Sequence, residues 1–258
     1  MKVYVVANAK GGVGKTTTSL ALASILRSKG YKVLIIDTDL QQNTTNGYNA
    51  ETDGVATLYD VMISDERVSI EQAIQKCERG DIIASDELLK RADEVLKNEV
   101  DGNYRLQDAM EKLEGYDYVV IDTPPRLDTV SINCLACADE VIIPVICDKY
   151  SIEGLTKFYE NLMAIKKRLN PKIKIAGLLR VQTQRAYTPF KEISPVLEEF
   201  AKKMGTKLFE ANIRHCVDVT KAQGEDIDIL DFNKRGNATK DYIEFVEELL
   251  EEGKSKKK

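Results

Sequence analysis

The sequence predicts an α/β fold in which a mostly parallel, twisted sheet carries helices on both faces. Short runs of β-branched and apolar residues recur along the chain, as expected of strands buried on both faces. Helix-length segments separate these runs, which is the alternation typical of βαβ units. The 258 residues contain no linker rich in Pro, Gly or Ser. A single domain over 1–252 is therefore predicted, followed by a disordered lysine-rich tail over 253–258.

The predicted strands are residues 3–7, 33–37, 82–84, 118–122, 140–145, 173–178 and 207–209. The first helix is predicted to begin within 14–16 and to end near Gly30, because glycine readily adopts a left-handed cap. The acidic stretch 64–116 is interpreted as solvated surface helices around the short strand at 82–84. The helical segment 242–252 has an apolar stripe that is predicted to pack on the sheet.

Composition argues against several classes of protein. Five cysteines are an odd number in a chain without an export signal, so reduced thiols and a cytoplasmic location are predicted. No apolar run approaches the roughly 20 residues that span a bilayer. The single histidine, His215, disfavours histidine-based catalytic triads and His-rich zinc sites.

The strongest motif is the glycine-rich loop at residues 10–17, between the first strand and the first helix. Glycines let backbone N–H groups approach phosphate oxygens, and the helix N-terminus adds unpaired donors and partial positive charge. Lys15 is predicted to reach the β and γ phosphates, and the Thr16 hydroxyl to ligate Mg²⁺. The motif therefore predicts a sheet of the P-loop NTPase type with these nucleotide-binding residues: Gly11, Gly12, Val13, Gly14, Lys15, Thr16 and Thr17.

Further motifs in the same order resemble the ParA/MinD family, whose deviant Walker A loop begins with a lysine, as this loop does at Lys10. Residues 37–39 read Asp-Thr-Asp after the second strand. Residues 119–125 resemble the Walker B strand and switch II, and 139–145 with 151–155 resemble the next strand and its helix. The likeness is nearest to short ParA proteins. The first strand starts so early that an additional N-terminal DNA-binding domain is not expected.

The resemblance implies a mechanism and assigns its residues. ATP and Mg²⁺ would drive two subunits into a face-to-face homodimer, in which Lys10 reaches the partner's nucleotide and Lys15 holds the phosphates of its own subunit. Asp39 would position the attacking water. Asp122 would hold Mg²⁺ through water, together with Thr16. The expected activity is a slow ATPase that a partner stimulates.

The family resemblance also implies a cellular role. ParA-type proteins segregate plasmids, mobile elements or chromosomes by binding DNA without sequence preference, with a ParB-like or small centromere-binding partner, so a nucleoid-associated location is expected. Residues 157–214 hold 13 basic and 5 acidic residues, which favours a basic face. Arg185 and Lys191 are the predicted DNA contacts. Relatives carry an arginine where this chain has Asp218, so weaker binding than in typical relatives is expected.

Three alternatives stay open. A nucleotide-switched regulator with little turnover is suggested by Leu40, which stands where relatives have proline, and by the altered stretch 213–218. A MinD-like positioning ATPase would need a basic amphipathic helix to bind membrane, but the terminal helix has an acidic polar face that anionic lipid repels. A redox relative would use Cys134 and Cys137 for a cluster, yet both lie in an apolar stretch and are predicted to be buried.

Overall fold

The computed structural model describes residues 1–64, 67–184 and 188–255. The strands are β1 (Lys2–Val6), β2 (Val33–Asp37), β3 (Ile74–Cys77), β4 (Gly80–Ile83), β5 (Tyr118–Asp122), β6 (Glu140–Ile146), β7 (Lys174–Thr183) and β8 (Leu208–Arg214). The helices are α1 (Lys15–Ser28), α2 (Asn43–Gly47), α3 (Leu58–Met62), α4 (Ala92–Leu96), α5 (Arg105–Met110), α6 (Thr129–Cys137), α7 (Ser151–Arg168), α8 (Thr188–Lys203), α9 (Val217–Gly224), α10 (Ile229–Phe232) and α11 (Asn237–Ser255). Two short 3₁₀ helices, Ile70–Ala73 and Glu87–Arg91, complete the set in the described ranges.

The strands form one eight-stranded sheet in the order β3-β4-β2-β5-β1-β6-β7-β8. Every neighbouring pair is parallel except β3 and β4, which confirms the predicted fold class. Strand β3 was not predicted from the sequence. Its residues, Ile-Gln-Lys-Cys, are only partly buried at the sheet edge, so they lack the continuous apolar run of the central strands. A tight turn ending at Gly80, which has φ 122°, reverses the chain between the two strands.

Two apolar cores cover the two faces of the sheet. Successive strand residues point to opposite faces, so Val5 lies in one core and Val6 in the other. The core around Val5 is closed by helices α3, α5, α6, α7 and α8. The core around Val6 is closed by α1, α10 and α11 and by Ala222 of α9. The central strands are therefore buried on both faces, as their continuous apolar character predicted.

The acidic stretch forms short helices whose charged residues face solvent and whose apolar residues reach the first core. Leu89, Ala92, Leu96 and Leu106 are each no more than 3 % exposed and join the first core. Leu88 is 46 % exposed. These helices are short and amphipathic, so their many acidic side chains conceal a buried stripe that a charge count over the whole stretch does not detect.

The terminal helix packs as predicted. Tyr242, Phe245 and Leu249 are buried in the second core, where the Phe245 ring meets Phe209 of β8 edge-on, with 4.9 Å between ring centroids. The apolar stripe of α11 is thus already covered. The helix continues to Ser255, past the predicted domain end at 252. Residues 256–258 lie outside the described ranges. None of the described helices combines the length and apolar character needed to cross a bilayer.

Candidate nucleotide-binding site

A cavity of about 520 Å³ opens at the carboxyl ends of the central strands, beside the glycine-rich loop. This volume lies in the range of ligand sites, and the position is where open parallel sheets bind ligands. The lining comes from the loop and α1, from the segment after β2, and from the segment 219–229. The residues that line it are Gly11, Gly12, Gly14, Lys15, Thr16, Thr17, Leu20, Asp39, Gln41, Asn43, Pro125, Gln182, Val219, Ala222, Gln223, Asp226, Ile227, Asp228 and Ile229.

The loop has the conformation that its glycines predict. Gly12 and Gly14 have φ of 71° and 70°, in the left-handed region that residues with side chains rarely adopt. Gly14 is the N-cap of α1, so the helix begins at Lys15, within the predicted range, and its first residues line the cavity. Within the loop, the Val13 side chain is buried, at 1 % exposure.

Lys15 is held close over the loop. Its side chain is almost fully buried, and Nζ donates a hydrogen bond to the Lys10 carbonyl oxygen at 3.2 Å. Burial lowers the pKa of Lys15, while the nearby carboxylates of Asp122 and Asp39 act in the opposite direction. An ammonium group in this setting is poorly solvated, so a phosphate oxygen would interact with it strongly.

Asp122 ends β5 directly beneath the loop and is fully buried. Its carboxylate accepts hydrogen bonds from Ser19 Oγ at 3.0 Å, from Thr44 Oγ1 at 2.8 Å and from the Thr16 hydroxyl. Burial raises the pKa of Asp122, and these hydroxyl groups and Lys15 oppose that rise. The Thr16 hydroxyl and the Asp122 carboxylate are oxygen donors of the kind that Mg²⁺ prefers. The two predicted metal residues are therefore brought together by a hydrogen bond.

Asp37 and Asp39 occupy different environments. Asp37 lies beside Asp122 across the β2–β5 pair, is fully buried, and accepts hydrogen bonds from Thr45 N and Oγ1, both at 2.8 Å. Burial and the Asp122 carboxylate raise the pKa of Asp37 to about 7. Asp39 is only partly buried and lines the cavity. Of the two aspartates, only Asp39 lines the cavity.

Lys10 lies apart from the cavity in this structure. Among the described residues it is absent from the lining, and its Nζ forms an ion pair with the carboxylate of Asp148, which precedes α7. Its backbone N–H donates to Asn8 Oδ1 at 3.0 Å, and Asn8 Nδ2 donates to the Pro144 carbonyl oxygen at 2.7 Å. The loop is thereby fastened to the end of β6.

The far end of the cavity was not predicted from the sequence. It is formed by the segment from α9 to the start of α10, where Val219, Ala222 and Ile227 supply an apolar wall. Gln223 Nε2 donates to Thr17 Oγ1 at 2.6 Å and so connects this wall to α1. The two residues are far apart in sequence, and Gln223 does not stand in a motif. No local signal could have identified the contact.

Gln182 is a second residue that sequence reasoning missed. It has a φ of 54°, unusual for a residue other than glycine, and its Nε2 donates to the Gly12 carbonyl oxygen at 2.8 Å. Thr183, next in β7, is bonded to the Asn212 side chain and to the Ile213 carbonyl oxygen of β8. The end of β7 therefore contacts the glycine-rich loop directly.

The predicted DNA contacts are only partly described. Arg185 lies outside the described residues, and Lys191 is exposed on α8. Arg214 is engaged by Asp241, to which its Nε and Nη2 donate at 2.7 and 2.6 Å. Asp218, which stands where relatives have an arginine, accepts a hydrogen bond from Asn233 Nδ2 at 3.0 Å.

The cysteines agree with the sequence interpretation. All five are free thiols. Cys134 is fully buried in α6, where its Sγ lies 3.8 Å from Thr38 Oγ1, and Cys137 is partly buried. Within the described part of the chain, no group of three or more His, Cys, Asp or Glu residues could hold a metal ion. A buried Cys134 could not serve a cluster shared with a partner at an interface.

The fold and the loop define the class of this protein, a P-loop NTPase. A family model described as an AAA domain matches residues 1–175. The chain is 30% identical to the chromosome partitioning protein ParA of Caulobacter vibrioides over 97% of its length and 94% of that protein. It is 32% identical to the sporulation initiation inhibitor protein Soj of Bacillus subtilis over 98% of this chain and 99% of that protein. The chain belongs to the ParA-type family of partition NTPases.

Solved structures give the same result. A putative plasmid partition protein from Borrelia burgdorferi bound to AMPPNP matches with a TM-score of 0.81 and 28% identity, covering 97% of this chain and 99% of that one. A cobyrinic acid a,c-diamide synthase from Mycobacterium smegmatis with bound ADP and magnesium matches with a TM-score of 0.83 and 26% identity, covering 99% and 96%. The architecture is therefore one that binds nucleotides in related proteins.

The contact between Gln182 and the loop makes a first prediction. Gln182→Glu should weaken nucleotide binding about tenfold, because the carboxylate loses a donor to Gly12 and adds negative charge beside the phosphates. Isothermal titration with ATP and ADP measures the change. Gln184→Glu is the matched control, since the same charge is added at an exposed position nearby. Equal losses in the two variants would show that the hydrogen bond contributes nothing.

Proposed function

We propose that this protein hydrolyses ATP with Mg²⁺ in a nucleotide-sandwich homodimer, and that this cycle drives the partition of a plasmid, mobile element or chromosome through nonspecific DNA binding. The proposal rests on one observation: Lys15, Thr16 and Asp39 line a single cavity over the glycine-rich loop of a ParA-type chain. The relatives crystallised with AMPPNP, and with ADP and magnesium, support the choice of ligands.

The phosphates would be held by the loop and by Lys15. The start of α1 lines the cavity, where its unpaired backbone N–H groups would bind phosphate, and the desolvated ammonium of Lys15 would supply positive charge. Thr16 and Asp122 would hold Mg²⁺, Asp122 through water, because its oxygens already accept hydroxyl hydrogen bonds. The ion, when bound, neutralises charge that develops on the transferred phosphoryl group.

Asp39 is the residue that would position the attacking water. Its backbone is fixed at both ends, since its N–H donates to Asp37 Oδ1 at 3.0 Å and its carbonyl oxygen accepts from Ser85 Oγ at 2.8 Å. The side chain still faces the cavity. Asp37 is fully engaged with Thr45 and has no access to the cavity, so its role would be to support Asp39.

Lys10 would complete the site of the partner subunit. Its position outside its own cavity supports a role in trans, where a cation on the transferring phosphoryl group is worth about 10³–10⁵ in rate. The nucleotide-switched regulator with little turnover is the second candidate, and the partial burial of Leu40 against the first core favours it. A switch segment anchored by an apolar side chain would rearrange less readily after hydrolysis.

DNA binding is supported by the placement of basic residues on one face of the sheet. Helices α7 and α8 pack side by side on the first core, with Tyr159 and Phe200 in edge-to-face contact. Lys191 is exposed on α8, and both helices carry basic residues in their last turns. Dimerisation would double these phosphate contacts, which couples DNA affinity to ATP. A ParB-like or small centromere-binding protein is the proposed partner, because the chain is similar to a chromosome partitioning protein.

The second prediction concerns hydrolysis. Asp39→Ala should retain ATP binding but lose nearly all turnover, because the water is no longer positioned, and an ATP-bound dimer should accumulate. Phosphate release and size-exclusion chromatography with light scattering measure the two effects. Turnover at the wild-type rate in this variant would refute the role of Asp39.

Addition of duplex DNA and a cognate partner to the wild-type protein separates the two candidate functions, since only the ATPase cycle predicts stimulated turnover.

The third prediction separates the two lysines of the loop. Lys15→Ala should lose ATP affinity by at least about a hundredfold, since a buried charge-assisted contact to the phosphates disappears. Lys10→Ala should bind ATP nearly as well as the wild type but fail to dimerise. Nucleotide affinity and dimerisation are measured side by side. If both variants lose ATP equally, the role of Lys10 in trans is wrong.

The fourth prediction concerns DNA. In the Asp39→Ala background with ATP, Lys191→Ala should reduce the slope of log affinity against log salt by about 1.8, because two subunits each lose one phosphate contact worth about 0.9. Fluorescence anisotropy with a labelled duplex over a salt titration gives the slope. Lys240→Ala is the control, since Lys240 is exposed on α11 at the opposite face of the sheet. Identical slopes for both variants, or equal binding with ADP and ATP, would contradict the proposed DNA face.

A further inference from the structure

The ion pair between Lys10 and Asp148 joins two segments that the proposed mechanism must separate. Lys10 Nζ contacts Asp148 Oδ2 and also lies 3.5 Å from Ser151 Oγ. The two charged side chains are 29% and 34% exposed, so the pair is shielded in part from water. Burial would raise the pKa of Asp148, but hydrogen bonds from Lys10 and Ser151 hold it below its ordinary value.

The other oxygen of the same carboxylate organises the start of α7. Asp148 Oδ1 accepts hydrogen bonds from Tyr150 N at 3.0 Å, from Ser151 N at 2.9 Å and from Ser151 Oγ at 3.0 Å. The orientation of the carboxylate is therefore fixed by the helix, independently of Lys10. Asn8 separately links the loop backbone to Pro144, so the position of the backbone does not depend on Asp148. What Asp148 sets is the direction of the Lys10 side chain.

The pair places the ammonium of Lys10 within its own subunit. Lys15 lines the nucleotide cavity, whereas Lys10 is not among the described residues that do so. If Lys10 acts on the nucleotide of the partner, its side chain must leave Asp148 when the dimer forms. Two such pairs are broken for each dimer, one in each subunit. The carboxylate thus competes directly with the partner's nucleotide for the same cation.

We propose that Asp148 is a positioning residue that retains Lys10 in the free subunit. It thereby sets the protein concentration that ATP-dependent dimerisation requires. The inference rests on the proposed role of Lys10 in trans. Its consequence is discrimination between nucleotides. ATP carries one more phosphate than ADP and attracts the ammonium more strongly, so ATP displaces the carboxylate where ADP does not. Asp148 therefore keeps ADP-bound subunits apart.

The test uses Asp148→Asn in the Asp39→Ala background, in which ATP is not consumed. Asparagine keeps an oxygen that accepts from the start of α7 but has no charge to hold Lys10. The concentration at which half the protein is dimeric with ATP should fall about tenfold, since each of two partly exposed ion pairs is worth up to a factor of about five. A dimer should also become detectable with ADP. Analytical ultracentrifugation over a protein dilution series measures both.

The matched control is Glu153→Gln, which removes the same charge from the first turn of α7 at an exposed position. The proposal is supported if the concentration for half dimerisation is unchanged in this control and lowered in Asp148→Asn. The proposal is overturned if this concentration stays the same or rises in Asp148→Asn. It is also overturned if the concentration falls equally in both variants. Asp148→Ser provides a second variant that also caps the helix without charge, should Asp148→Asn fold poorly. Thermal unfolding of each variant verifies that it is folded.

Failure of this inference can be told apart from failure of the proposed function. If Lys10→Ala still dimerises with ATP, the role of Lys10 in trans is wrong, whatever Asp148 does. If Lys10→Ala does not dimerise and Asp148→Asn behaves as the parent protein, only the competition by Asp148 is wrong. In the double variant Lys10→Ala and Asp148→Asn, the substitution at Asp148 should have no further effect, because the side chain it retains is absent.

Discussion

The nucleotide-binding end of the sheet depends on two carboxyl groups that are buried side by side, at the carboxyl ends of two adjacent central strands. Asp37 and Asp122 are paired neighbours on β2 and β5, and neither is exposed to solvent. Two such charges repel each other and lose their hydration, so the pKa of each is raised. The fold offsets this cost with hydroxyl and N–H donors and with the Lys15 ammonium nearby. The result is a pair of carboxyl groups beneath a loop that attracts phosphate, which suits a nucleotide bound together with a cation.

The glycine-rich loop is restrained from several directions, and each restraint connects it to a different part of the molecule. Asn8 ties it to the end of β6, and Gln182 ties it to the end of β7. Gln223 joins α9 to α1 directly behind it. The loop is therefore in direct contact with the end of β7 and adjoins the apolar wall of the cavity. This arrangement gives a physical basis for coupling between nucleotide state and a distant surface, as expected of a partition NTPase.

Sequence patterns were most informative where a local rule forces one structure. The glycines of residues 10–17 required the left-handed turns that the loop adopts, and α1 begins and ends within the predicted limits. The central strands are continuous apolar runs, so their burial on both faces followed from composition. Local rules were less informative at the edge of the sheet, where β3 is short and half-buried, and in the acidic stretch, where each helix is too short to show a clear apolar period.

The sequence by itself determined the fold class, the glycine-rich loop and the aspartates at the ends of β2 and β5, because each depends on residues adjacent in the chain. Only the tertiary structure decided which side chains meet. It buried Asp37 and left Asp39 in the lining of the cavity. It also brought Gln182 into contact with the loop and paired Lys10 with Asp148. The physical reason is that these contacts join residues far apart in sequence. Their formation depends on the order and twist of the strands, which no local pattern specifies.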